Sequence, residues 1–443
     1  MWNYFATKCQ KASKKESLFH AIVSRLERIT RPSNQPRFPA SMSKKPQAST
    51  FLAHAARRPE QHHGMVNTPI YRGSTILSST LDQWESRKQP DNPYASYGRF
   101  GTPTTGALEE IVAQAEGGYR SLVLPSGLAA CTHAILAMVS AGDHVLVPDS
   151  VYGPTRAFAE QVLPRFGIEA EFYDPGIGAG IADQIRLRTR VVFVEAPGSG
   201  TFEMQDIPAI ASKAHAVGAY VVMDNTWATP LFFKPFEHGV DVSVQAGTKY
   251  LVGHSDAILG LVTANERAWP LLRKGVQDFG QTIGPDDVFL ALRGMRTLAL
   301  RMQQHWATGL HLAQVLQRHP LVERVMHPAL PTDPGHALWK RDFLGASGLF
   351  SIALKPMDRQ ALAAFIDNLQ LFGIGLSWGG YESLVVPMDR PRRDTRSWDL
   401  QGPLVRIHAG LEDAGDLAAD LLQGLEAAEH CTQHKVSALV SVA

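Results

Sequence analysis

The 443-residue chain has only three cysteines, Cys9, Cys131 and Cys431, too far apart to form a CxxC pair. Such spacing argues against a disulfide framework and a structural zinc site, and fits a reducing compartment; no metal centre is expected. Excess charge is also missing. The formal net charge is +1, which provides no pull towards nucleic acid or an acidic partner. No apolar run approaches the roughly 20 residues that a membrane helix needs. Internal repeats and long low-complexity tracts are absent too. What is present is an ordinary enzyme-like composition, 44% hydrophobic and 19% charged, with length enough for two or three domains. The expectation is a soluble cytoplasmic protein.

One segment departs from this pattern. Residues 1–48 carry ten lysines and arginines against Glu16 and Glu27 alone. Within it "ESLFHAIVSRLERI" suits a short amphipathic helix, and a transit peptide shares this basic, acid-poor character. The favoured reading is a disordered extension or a start placed too early, because "MSKKPQAST" at Met42 offers another beginning.

From residue 101 the chain alternates. "TTGALEEIVAQAEG" has helical periodicity and a stop at Gly117 and Gly118. "YRSLVL", "DHVLVPD", "EAEFYD", "RVVFVEAP", "AYVVMDN", "VDVSVQAG" and "AILGLVTA" read as strands between helices such as "SGLAACTHAILAMVSAG" and "IPAIASKAHAVG". This order predicts an α/β domain over residues 101–300, a mostly parallel sheet with helices on both faces. Residues 285–320 predict a long helix, broken or bent near Gly294. "GLFSIALKP", "LFGIGLSWG" and "LVRIHAGLED" then predict strands, with "DRQALAAFIDNL" and "DAGDLAADLLQGLEAAEH" as helices. Residues 301–443 thus form a smaller α+β C-terminal domain.

Chemistry gathers at the strand ends. Asp224 follows the apolar run "VVM", where open α/β sheets bind ligands; such an aspartate can equally cap a turn. Lys249 closes a later strand 25 positions on, and a lysine near a core is absent, paired or chemically employed. A lysine amine and a carboxylate facing one bound ring are what pyridoxal 5'-phosphate (PLP) requires. "LPSGLAA" places Gly127 and Leu128 at a helix entry suited to phosphate, although Ser126 there also reads as a plain N-cap. In "ASYGRFGTPTT", Tyr97 and Arg99 lie two positions apart on an extended segment, as an anion clamp or as a solvated pair. Tyr152 can stack on a planar ring or plug the core. Arg406 sits inside an apolar strand and needs an anion, either a substrate carboxylate or Glu412. Ser377 and Trp378 precede it in "SWGGYESL".

Taken in order, "YGRFGTPT", "LPSGLAA", "SVYGPTR", "VFVEAPGSGTFEMQDIPAI", "VVMDNTWATPLFFKPFEHGVDVSVQAGTKYLVGHSDAILG", "SWGGYESL" and "VRIHAGLED" resemble the Cys/Met-metabolism family of PLP enzymes over roughly residues 49–425. The resemblance is strongest to bacterial cystathionine β-lyases. It implies fold type I, Lys249 as the Schiff-base lysine and catalytic base, Asp224 on the ring nitrogen and Tyr152 stacked on the ring. Gly127, Leu128 and Thr248 would hold the phosphate. Residues 49–100 would reach a neighbouring subunit, whose site Tyr97 and Arg99 would complete, with Tyr97 assisting proton transfer. Arg406, Ser377 and Trp378 would line the substrate site. The implied assembly is a homotetramer of two such dimers. The implied reaction is β-elimination of an amino-acid thioether, L-cystathionine, to homocysteine, pyruvate and ammonia. Trp378 favours this over the γ-acting relatives, which usually carry an aliphatic residue there; a broader cysteine-conjugate lyase is an alternative. Retention of Lys249 and Asp224 weighs against a non-catalytic regulator on the same fold. One departure stands out: many relatives have serine three residues before the lysine, where this chain has Ala246.

Overall fold

Seven strands form the larger sheet: β1 (Arg120–Leu124), β2 (His144–Pro148), β3 (Glu169–Tyr173), β4 (Thr189–Glu195), β5 (Tyr220–Asp224), β6 (Val242–Gln245) and β7 (Gly260–Ala264). They lie in the order β1-β7-β6-β5-β4-β2-β3. Strands β2 to β6 run parallel, and β7 is antiparallel to both β1 and β6. The computed structural model describes residues 46–89, 92 and 95–442, so the helix expected within the N-terminal extension lies outside the described residues. From Gln47 onwards the chain is one compact unit.

Strands buried on both faces need helices on both, and alternate side chains show it. Val191 and Phe193 pack into one core cluster, with Cys131 of α2 (Gly127–Leu136), Phe158 of α3 (Gly153–Gln161) and Leu272 of α5 (Trp269–Asp278). Their neighbours Val192 and Val194 enter the opposite cluster, with Ile207 and Ile210 of α4 (Ile207–Ala216). This is the period-two reading of a central parallel strand. Helix α1 (Pro103–Glu116) starts at Thr102, whose hydroxyl accepts from Thr105 N–H while the Thr105 hydroxyl accepts from Thr102 N–H. That reciprocal cap satisfies two otherwise orphaned donors.

The helix α6 (Pro285–Leu316) runs without a break through Gly294, where a break or bend was expected. Glycine there allows a close approach. A Cβ at Gly294 would lie 2.2 Å from the Leu251 carbonyl oxygen and 2.4 Å from that of Val252.

The second sheet has the order β10-β11-β12-β9-β8, from β8 (Val322–Met326), β9 (Leu349–Leu354), β10 (Gly373–Ile374), β11 (Leu384–Met388) and β12 (Leu404–His408). Phe350, Ile352, Val405 and Ile407 pack against Phe365 of α7 (Arg359–Asp367) and Leu417 and Leu421 of α8 (Ala414–Val442). Strands β8 and β11 were not anticipated from sequence. Of the expected strand "LFGIGLSWG", only Gly373–Ile374 pairs. Beyond it Ser377 takes φ +88, a left-handed conformation that cannot continue a ladder.

Candidate active site

Because β2 to β6 are parallel, their C-terminal ends share one edge of the sheet, the usual ligand edge of such folds. Of the side chains singled out above, Lys249, Asp224, Ser377, Trp378 and Arg406 come together there. Lys249 leaves β6 through a tight turn, its N–H donating to Ala246 O at 3.0 Å. Its Nζ donates to Ser377 Oγ at 2.6 Å and lies 5.4 Å from the Trp378 ring centroid. Burial lowers the amine to about 8; the Arg406 charge adds to this and Asp224 opposes it.

Asp224 ends β5. Its Oδ1 accepts from Thr226 N at 3.0 Å and Thr226 Oγ1 at 2.6 Å. Among the described residues its Oδ2 accepts only a thiol contact, from Cys131 Sγ at 3.6 Å. Burial raises this carboxyl, while the Thr226 bonds, Cys131 and the Lys249 charge pull it back. Its register partner on β4 is Glu195, whose Oε2 accepts from Tyr152 N–H at 2.8 Å. The Tyr152 side chain is open, the residue being 42% exposed.

Arg406 is largely buried and, among the described residues, makes one hydrogen bond, Nη2 to Ser377 O at 3.2 Å. The alternative partner Glu412 is engaged elsewhere, accepting from Ser383 N and Oγ at 2.9 Å each. Among the described residues no carboxylate pairs with this guanidinium, and burial lowers its pKa accordingly.

At the start of α2, Ser126 does cap the helix, accepting from Ala129 N at 3.1 Å. The first N–H groups, on Gly127 and Leu128, are beyond reach of any carbonyl of the helix itself. A Cβ at Gly127 would come 2.5 Å from the Ala246 methyl, so the unusual alanine forms one wall of this cradle. The Thr248 hydroxyl accepts from Leu259 N at 3.0 Å and donates to Leu259 O at 3.1 Å.

Tyr97 and Arg99 are not brought into this cluster by the single chain. Arg99 Nη1 donates to Gln277 O at 3.0 Å, at the end of α5, and its guanidinium lies 4.4 Å from the Phe100 ring centroid. Tyr97 is exposed. Two pocket residues escaped the sequence reading. Glu195 carried the same signal as Asp224, an acid closing an apolar strand, whereas Cys131 sits mid-helix and carried none.

The pocket's chemistry fits PLP. A carboxyl with one oxygen free of strong donors suits a protonated ring nitrogen. Unpaired N–H groups at a helix start suit a phosphate. A desolvated amine suits a carbonyl carbon.

The model for Cys/Met metabolism PLP-dependent enzymes matches residues 49–426. A cystathionine beta-lyase of Salmonella typhimurium is 43% identical over 389 residues, 85% of this chain and 98% of that protein. The cystathionine beta-lyase MetC of Escherichia coli is 42% identical over 387 residues, 85% of this chain and 97% of its own. Among solved structures, metB from Corynebacterium glutamicum superposes with a TM-score of 0.78 at 29% identity, covering 86% of this chain and 98% of that one. With Lys249 and Asp224 inside the matched span, the chain belongs to the Cys/Met metabolism family of PLP-dependent enzymes.

Proposed function

We propose that this enzyme is a carbon–sulfur lyase that cleaves L-cystathionine by β-elimination, consuming water and yielding homocysteine, pyruvate and ammonia. The observation that carries the reading is the Lys249 amine, bonded to Ser377 Oγ and lowered to about 8 within the fields of Arg406 and Asp224; the two beta-lyase relatives support the choice of substrate. Bound PLP supplies an electron sink for the charge left when the substrate α-proton is removed.

The remaining work falls to the chain's own residues. Lys249 Nζ takes the proton from the substrate α-carbon, because an amine near 8 is roughly 10–20% neutral at physiological pH, about two orders of magnitude more than an ordinary lysine. Ser377 Oγ accepts from that nitrogen and aims it. Arg406 grips the α-carboxylate with its fork, and Trp378 walls the same space. Asp224 would hold the proton on the ring nitrogen of bound PLP, and Tyr152 would cover its ring. Gly127 and Leu128 would offer backbone N–H groups to the PLP phosphate, and the Thr248 hydroxyl would join them. Tyr97 and Arg99 of a neighbouring copy complete the phosphate site, with Tyr97 assisting proton transfer, within a cytoplasmic homotetramer.

The test is to supply purified protein with PLP and L-cystathionine and identify the products. Pyruvate with homocysteine is expected. 2-Oxobutyrate with cysteine would instead make it a γ-acting enzyme and end the argument from Trp378.

A further inference from the structure

Glu195 is a buried acid to which the mechanism above gives no task. It is 8% exposed and lies beside Asp224, its register partner on the adjacent parallel strand. Adjacent strands are about 4.8 Å apart, so two ionised carboxylates here would repel through low dielectric. The titratable groups facing Glu195 are Asp224 on β5, Cys131 on α2, Tyr152 before α3 and Tyr173 on β3. None of these is a cation. Its placement is well defined nonetheless. Oε2 accepts from Tyr152 N–H at 2.8 Å, and its backbone carbonyl accepts from Gln205 Nε2 at 2.8 Å.

We propose that Glu195 is a positioning residue: as a neutral carboxylic acid it fixes the Tyr152 backbone, and with it the ring that covers the cofactor, while leaving Asp224 as the buried carboxylate that serves the ring nitrogen. This rests on the PLP reading of the pocket. Burial, reinforced by the Asp224 charge, pushes the Glu195 carboxyl well above the ordinary carboxylate range. Asp224 is raised by burial too, but it has the Thr226 donors and the Lys249 charge to favour its ionised form. Of two acids side by side, the better-solvated one keeps the charge.

The experiment compares PLP-loaded wild type, Glu195→Gln and Glu195→Ala. The infrared difference spectrum of wild type against Glu195→Gln at neutral pH is expected to contain a carboxylic-acid carbonyl band. Glu195→Ala strands the Tyr152 N–H, and is expected to weaken PLP affinity about tenfold and to alter the cofactor's absorbance. Glu195→Gln keeps the acceptor oxygen and restores both. Carboxylate bands in place of the acid band would overturn the neutral state. A Glu195→Gln variant with affinity reduced tenfold would overturn the positioning role, and decides the matter even where Glu195→Ala does not fold. Wild type that takes up no PLP would sink the cofactor reading itself; absorbance reports that separately, while the infrared comparison still reports the proton.

Discussion

Lys249 shows how burial turns an ordinary side chain into a reagent. A solvated lysine titrates near 10.5, whereas this one is lowered to about 8 by desolvation and by Arg406. Only the neutral amine attacks an aldehyde, so the sign of the pH dependence follows: uptake of PLP by cofactor-free protein is faster at higher pH and half-maximal near 8. Stopped-flow absorbance across pH 6 to 10, on the order of the range the shift spans, measures the midpoint. A midpoint near 10 would mean that the pocket does not desolvate the amine. Ser377 belongs to the same argument. It holds φ +88, an unfavourable conformation for a serine, and in that conformation its hydroxyl meets Lys249 Nζ. Strained backbone beside a reacting group is a recurrent feature of functional sites.

At the scale of elements, α6 is set by one close contact. Replacing Gly294 by alanine would gain about 1 kcal/mol of helix propensity. The added methyl, however, would fall 2.2 Å from the Leu251 carbonyl oxygen, a clash with backbone that cannot rotate away. Overpacking of this kind costs about 1–3 kcal/mol, and more where backbone is struck, so the clash wins. Gly294→Ala is expected to lower the urea midpoint and, because Leu251 follows the Lys249 turn, to weaken PLP binding as well. A higher midpoint with unchanged binding would show that the helix shifts freely. The short strand β10 illustrates the opposite balance. "LFGIGLSWG" has an apolar strand's composition, yet most of it is a loop, because its glycines and Ser377 give the backbone another route towards Lys249.

For the whole molecule, the unabsorbed motif is "YGRF". Tyr97 is exposed and Arg99 is bound to the end of α5, away from the phosphate cradle they were expected to serve. The proposed function has both act in the site of a neighbouring copy. Hybrid assemblies test this directly. Mixing Lys249→Ala subunits with Arg99→Ala subunits places both defects in one site of a dimer and leaves the other site intact. Activity in the mixture, from two parents with little of their own, is expected. No recovery after subunit exchange, shown by mass spectrometry of the hybrids, would place Arg99 within its own subunit's site.

How much of this was legible beforehand depended on the range of the interaction. The strand-end position of Asp224 follows from a local apolar run, because alternation and turns are written within a few residues. Lys249, expected to close a later strand, instead stands in the turn after β6, which ends at Gln245. The parallel sheet followed from strands alternating with helices. The sequence left Arg406 with two partners, and the structure removed one by engaging Glu412 with Ser383. Neither the pairing of β11 with β12 nor the adjacency of Glu195 and Asp224 is local, and no window of sequence contains both members. Sequence determined which residues carry chemistry, since that is a property of side-chain type and nearby pattern. Tertiary structure alone decided their ionisation and contacts, since desolvation and charge coupling arise only when distant strands bring those groups together.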